Sequence, residues 1–217
     1  TKTSNNYQTM PTWQKAHFKL AEHFRLYSDP LDDCTWEGTE RGISELPFHC
    51  TSAHQWRASI DTLTDLGFME QKMKFGLTYD LLQDFIELLS DDNQECIIND
   101  LSLDLDENRN YLQRTREFHR FLKARTYILH RRPQLTFTVA LSLPETSYPC
   151  LAAKSRWDSG LESRIHIRWE NKPTESDSCI MTLSGHTMVV RYSCVSPDDK
   201  WIASASHDLR VRIWDAE

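Results

Sequence analysis

Four residues near the C-terminal end of the chain have side chains that could do chemistry together: His186, Ser206 (or Ser204, on the same face), Asp208 and Trp214. A serine, an imidazole and a carboxylate are the parts of an activated nucleophile. In that chemistry the imidazole takes the hydroxyl proton and the carboxylate fixes its tautomer. The same residue types also build a structural relay, because a buried carboxylate needs donors, and an imidazole N–H and backbone amides supply them. Their setting favours the relay. Leu183-Ser184-Gly185-His186 opens the stretch, Ser196-Pro197-Asp198-Asp199 and His207-Asp208-Leu209 are turn signals, and Trp214-Asp215 closes it. The pattern predicts a strand to Val195, a second from Trp201 to Ser206 and a third from Arg210 to Trp214. Each member then has a place in the fold, and no catalytic residue is assigned.

Other constellations are weaker. His17, Glu22 and His23 suggest a zinc helix, but Lys19 stands where the inverted metalloprotease pattern needs its first histidine. Six residues also turn the two histidines about 240° apart around a helix. Asp104, Asp106 and Asn108 suggest a calcium loop, yet Arg109 and Thr115 replace the glycine and glutamate it requires. A solvated turn with Asp106 as helix cap fits better. The six cysteines, Cys34, Cys50, Cys96, Cys150, Cys179 and Cys194, include no CxxC clamp and read as reduced, mostly buried thiols. No metal or cofactor site is expected in this chain.

The longest basic stretch holds Arg114, Arg116, Arg120, Lys123, Arg125, Arg131 and Arg132, with Phe118, Phe121 and Tyr127 between them. A nucleic-acid face is one reading and an intramolecular dock for an acidic surface is another. A solvated helix face whose aromatics fall on the buried stripe is the simplest. Arg114, Arg116, Arg120 and Lys123 are kept as a possible interaction face. Trp36, Trp157 and Trp201 read as core or domain-interface residues rather than ligand stackers.

The elements that must position these residues change character along the chain. Phe18, Leu20, Ala21 and Phe24 fit a first helix that stops before Ser28-Asp29-Pro30. RGISELPFHCTSA makes a short helix bent or broken at Pro47. Trp56, Ile60, Leu63 and Leu66 share a helical face, and GFMEQKMKF continues after a break at Gly67. Leu77, Leu81, Leu82, Phe85, Leu88 and Leu89 form the next stripe. Leu112, Thr115, Phe118, Leu122 and Leu129 form one side of a long helix. QLTFTVALSLPETSYP then reads as an extended connector. SRIHIRW alternates and predicts a strand over Ser163–Trp169. The expected fold is α+β in two segments: a stacked α-helical arm over residues 1–150, a connector over 151–162, and strand structure over 163–217.

Composition excludes some partners. Net charge is −7 at pH 7, which gives no whole-chain attraction to nucleic acid or an anionic membrane. No apolar run reaches the ~18 residues a membrane span needs, and residues 1–13 lack the apolar core of a secretory leader. A cytoplasmic location, with neither nucleic acid nor membrane as partner, is expected.

The stretch from Gly185-His186 to Trp214-Asp215 resembles the WD repeat, in which these dipeptides bracket most of a four-stranded propeller blade. Asp199 departs from the usual turn glycine, and Ser193 and Val195 stand where larger apolar residues are common. The resemblance implies that His186, Ser206, Asp208 and Trp214 form the family's structural relay. Because a propeller closes with roughly 4–8 blades, it also implies further repeats in a longer parent chain. HFKLAEHF, YSDPLDDCTWEG, the run from Arg41 to Lys74 and LTYDLLQDF, followed by LSLPETSYPCLAAKSRW and IHIRWENKP, resemble the arm that leads into the propeller of WD-repeat signal-transduction NTPases. That family includes apoptotic protease-activating factors and NACHT-plus-WD proteins. The resemblance implies an arm between an upstream nucleotide-binding module and a ligand-sensing propeller, with ATP or ADP bound elsewhere in the parent chain. Its partners would be proteins, together with the upstream module and downstream blades of the same chain. It also implies that Ile165–Trp169 closes the ring by pairing with the last blade. No GxxxxGK[ST] occurs here, so no phosphate cradle carries over. The rival is a WD-repeat scaffold with a helical N-terminal extension and no nucleotide step.

Overall fold

The computed structural model describes residues 10–100, 105–166, 169, 172, 183 and 185–216. The chain divides into two units, Thr1–Ile180 and Met181–Glu217.

The first unit is helical. α1 (Thr12–Ser28) stops at Asp29, ahead of Pro30. α2 (Glu40–Ser52) is capped by Thr39, whose hydroxyl accepts from Gly42 N at 3.1 Å. α3 (Trp56–Leu63) and α4 (Leu66–Lys74) are separated at Thr64-Asp65, where the Asp65 carboxylate caps α4 by accepting from Gly67 N at 2.7 Å and Phe68 N at 2.9 Å. α5 (Thr78–Leu88) and α6 (Asp91–Ile98) lead to the 27-residue α7 (Leu105–Arg131). A 3-10 turn (Pro133–Leu135), α8 (Thr136–Leu141) and α9 (Tyr148–Asp158) complete the unit's described helices.

Several expectations need correction. α2 runs through Pro47, which is buried inside it. The break between α3 and α4 belongs to the Asp65 cap, two residues before Gly67. The extended connector is in fact helical over most of Pro133–Leu141, and α9 begins at Tyr148. Its apolar residues explain this: Phe137 and Ala140 are buried on one helical face, which an extended chain could not present at that spacing. The expected strand at Ser163–Trp169 is not formed by Ser163–His166, and Ile167 and Arg168 lie outside the described residues.

The helical stripes meet in one core. Leu46, Leu63, Phe68, Phe85, Phe118 and Leu122 are among its fully buried members. On α7 the buried residues Leu112, Thr115, Phe118, Leu122 and Leu129 follow helical periodicity. Tyr127 lies off that stripe and is 48% exposed, with the Arg131 guanidinium 4.4 Å from its ring centroid. Trp36 is a core residue, whereas Trp157 and Trp201 are each close to half exposed.

Within the core, Lys72 is wholly buried and pairs with Asp84 of α5. Burial pushes the Asp84 carboxyl up to about 6, even though Lys72 opposes the shift. Farther along, Arg164 donates to Glu70 of α4 at 2.8 Å, to Glu162 at 2.8 Å and to the Gln134 carbonyl at 2.9 Å. Arg156 pairs with Asp65 at 3.4 Å and donates to the Cys34 carbonyl at 3.0 Å. Charge-assisted bonds therefore tie the chain after α9 back onto α4.

The second unit is a three-stranded antiparallel sheet in the order β1 (Val190–Val195), β2 (Trp201–Ser206), β3 (Val211–Asp215). Register pairs Ser193 with Ser204, Ser204 with Arg212 and Ile202 with Trp214, with an irregularity between Val190 and Tyr192. Asp199 and Leu209 turn the chain at φ 59° and 63°.

Candidate functional site

The strand pairing builds the relay. β2 puts Ser204 on the same face as Ile202, and β3 puts Trp214 opposite Ile202, so Ser204 lies diagonally next to the indole. The turn after β2 brings Asp208 back toward the segment before β1, where His186 sits. His186 Nδ1 is 2.9 Å from Asp208 Oδ2, and His186 Nε2 is 2.8 Å from Ser204 Oγ. Trp214 Nε1–H donates to Ser204 Oγ at 2.7 Å. Thr187 N–H donates to Asp208 Oδ2 at 3.1 Å and Arg210 N–H to Oδ1 at 3.0 Å.

One proton arrangement satisfies every group. Asp208 is ionised and accepts His186 Nδ1–H, Nε2 accepts the Ser204 hydroxyl, and the Ser204 oxygen accepts the indole N–H. Burial works to raise the Asp208 pKa, but hydrogen bonds from His186, Thr187 and Arg210 outweigh it and hold the carboxyl at about 2. Gly185 permits the close approach: a Cβ there would lie 3.1 Å from Trp214 Cη2.

The third member corrects the sequence expectation. The relay runs through Ser204, whereas Ser206 flanks the turn, donating to the Met188 carbonyl at 3.1 Å and accepting from Asp208 N at 3.2 Å. The distances among Ser204, His186 and Asp208 resemble those of a hydrolytic triad. The Ser204 oxygen, however, is buried and already carries the indole N–H, so the position from which a nucleophile attacks is taken by Trp214. What the arrangement does chemically is join the segment before β1, β2, the turn and β3 through side chains.

The opposite face of the sheet is apolar and open. Val211 and Ile213 are each 71% exposed, and Trp201, Ala203 and Ile213 line a shallow depression there. The sheet contributes no residue to the chain's buried hydrophobic core among the described residues.

The residues of the basic stretch have separate tasks. Arg114 bonds Asp61 at 3.0 Å and Thr64 Oγ1 at 2.7 Å, which pins α7 to the end of α3. Arg116 bonds Gln94 of α6. Arg120 is exposed beside a groove it shares with Phe121, Leu143 and Pro144, and Lys123 is half-buried. Arg114 and Arg116 thus join helices to each other, which leaves Arg120 and Lys123 of the expected face. His17 contacts His49 instead of His23. Asn108 turns inward to the carbonyls of Ile98 and Asp100, Asp106 is exposed beside Arg109, and Asp104 lies outside the described residues. No group of three metal-type ligands occurs among the described residues. Cys50 and Cys150 are buried and Cys34 partly so, while Cys96 and Cys194 are exposed; Cys179 lies outside the described residues. No described helix is long and apolar enough to cross a membrane.

Comparison with known proteins agrees with both units. Residues 177–215 match the WD domain, G-beta repeat. Apoptotic protease-activating factor 1 of Rattus norvegicus is 24% identical over 216 residues, 94% of this chain and 15% of that protein. The Homo sapiens counterpart is 23% identical over the same share. A Notchless protein homolog from Arabidopsis thaliana is 43% identical over 56 residues, 26% of this chain and 11% of that protein. The chain spans 15% of the length of the protease-activating factors it matches. The chain is similar to that factor over nearly its whole length, and its residues 177–215 match the WD repeat.

Proposed function

We propose that this chain is a regulatory and protein-interaction segment of a larger WD-repeat switch ATPase, linking a nucleotide-binding module to a ligand-sensing propeller in the assembly of a signalling complex. The carrying observation is the continuity of the similarity, which spans 94% of the chain and includes both the helical unit and the repeat. The helical core and the Arg156–Asp65 and Arg164–Glu70 bonds supply the stiffness an arm requires. The apolar sheet face, with Ile213 71% exposed, supplies a surface for another blade or a partner. On this reading the segment performs no catalysis and holds no cofactor. ATP or ADP binds elsewhere in the longer protein, which works in the cytoplasm with protein partners, away from nucleic acid and membrane. The relatives' name points to apoptosis as the setting.

A second reading is favoured by the 43% identity of a 56-residue stretch to a Notchless protein homolog, well above the identity of the whole chain to the protease-activating factors. It makes the protein a WD-repeat scaffold with a helical extension and no nucleotide step. The two readings part on the full-length protein. Nucleotide recovered from the purified protein, with ATP-dependent growth in mass by analytical ultracentrifugation, supports the switch. A protein free of nucleotide whose mass ignores ATP leaves the scaffold.

A further inference from the structure

Residues 161–166 follow α9 and are fastened to α4 through Arg164. Its guanidinium donates to Glu70 at 2.8 and 3.1 Å, to Glu162 Oε1 at 2.8 Å and to the Gln134 carbonyl at 2.9 Å. The Arg164 backbone N–H donates to Glu162 as well, at 2.9 Å. Glu70 and Glu162 are each only 7% exposed. Bonding to Arg164 holds the Glu162 carboxyl below the ordinary glutamate range. The stretch ends at His166, whose ring meets Trp157 at 4.4 Å and Phe137 at 5.4 Å.

Ser163 stands between Glu162 and Arg164 in the chain. Its side chain is exposed, its backbone is neither helix nor strand, and its hydroxyl makes no hydrogen bond among the described residues. It lines a polar cavity with three cations, Lys74, Arg156 and Arg164, and three carboxylates, Glu37, Glu70 and Glu162. The two preceding serines are placed differently. Ser155 lies inside α9, and Ser159 closes that helix, its hydroxyl donating to the Arg156 carbonyl at 3.0 Å. A phosphate on Ser159 would meet the negative end of the helix dipole. Ser163 has neither constraint.

A phosphate on Ser163 brings about −1.5 to −2 charges at pH 7 and three strong acceptor oxygens. Glu162 and Glu70 repel that charge unless a cation turns toward it. Arg164 can turn, because its side chain is 43% exposed, whereas Arg156 is held by Asp65 and the Cys34 carbonyl. Glu70 can give Arg164 up, because Lys74 also bonds Glu70, at 2.8 Å. Glu162 has no other ion pair among the described residues, so without Arg164 its carboxylate must leave for water.

We propose that Ser163 is a phosphorylation site whose phosphate draws Arg164 away from Glu70 and Glu162 and frees residues 161–166 from α4. A protein kinase transfers the γ-phosphoryl group of ATP. The bond between Ser163 Oγ and the γ-phosphorus forms, the bond from that phosphorus to the bridging oxygen breaks, ADP leaves and the hydroxyl proton passes to the kinase's base. The repeat is matched from residue 177, so the modification loosens the fastening of the chain that leads to it. The inference holds whether or not the parent protein switches nucleotide.

Two measurements test its two halves. Mass spectrometry of the protein purified from the cells that make it, with phosphatases inhibited, should find phosphate on Ser163. Peptides covering Ser163 that are found only unmodified overturn the site. The release is tested by NMR on the 217-residue chain with phosphoserine encoded in place of Ser163. The ring-current displacement of the His166 resonances by Trp157 and Phe137 should be lost, and phosphatase treatment should restore it. The phosphate should titrate below its free value of about 6, because Arg164 favours the dianion. R164Q without phosphate should lose the same His166 displacement, and R164Q with phosphate should return the titration to the free value. Unmoved His166 resonances in the phosphorylated chain overturn the release, as does a phosphate titration that ignores R164Q.

Discussion

Replacing Ser204 by Ala removes the hydroxyl that links two other side chains in the sheet. Trp214 Nε1–H, now 2.7 Å from Ser204 Oγ, loses its acceptor, and His186 Nε2, at 2.8 Å, loses its donor. An unsatisfied buried polar group costs about 1–3 kcal/mol. His186 is 6% exposed at its side chain, while Trp214 is only partly buried, so the indole sits at the low end of that range. The sum is about 2–4 kcal/mol. Read as local opening of the sheet, this is a loss of about 30- to 900-fold in the amide protection of β2 and β3. The Ser206→Ala variant is the comparison. Ser206 bonds the exposed Met188 carbonyl and a turn amide, both of which water can re-satisfy, so the loss should stay under about 1 kcal/mol. Ser204→Thr keeps the hydroxyl and should stay near the parent protein. Hydrogen exchange with peptide-level resolution separates the three. If S204A loses no more protection than S206A, the relay does not hold the sheet and the assignment of Ser204 fails.

Three further outcomes follow from the same reasoning. Lys72→Met strands a buried carboxylate and should cost about 3–5 kcal/mol at pH 7, or roughly 6–20 °C in Tm. The Lys72→Met/Asp84→Leu pair should recover most of it, and a double variant as unstable as the single one would refute the ion-pair account. Asp84 titrates at about 6 in the folded chain, above its unfolded value, so its contribution favours folding at low pH and is lost as pH rises through 6. The cost of K72M, followed by thermal melts across pH, should therefore shrink toward pH 5. Asp208 is displaced the opposite way, to about 2: sheet protection should hold from pH 7 to 5 and drop below about pH 4, and D208N should abolish that drop. Asp199→Gly should raise sheet protection several-fold, because φ at this turn is 59°, where a side chain is strained.

Much of this protein was legible in its sequence because the signals are local. Buried stripes on α5 and α7, the stop before Pro30 and the two tight turns of the sheet are set by residues a few positions apart, and periodicity and turn chemistry report them directly. The relay was legible for the same reason, since Gly185-His186, Asp208 and Trp214-Asp215 stand at fixed spacing around the turns. The choice between Ser204 and Ser206 was not. Both point to one face of β2, and only the register against β3, which sets Ser204 beside Trp214 and leaves Ser206 at the turn, separates them. Tertiary contact also decided the segment from Gln134 to Pro149 and the helix that follows from it. Its β-branched residues, prolines and turn signals read as extended chain, but burying Phe137, Ala140, Cys150 and Ala153 against the core outweighs that weak local preference. The meeting of His17 with His49, of Lys72 with Asp84 and of Arg164 with Glu70 is likewise invisible in the sequence. Those partners are brought together by the packing of helices, not by their spacing along the chain.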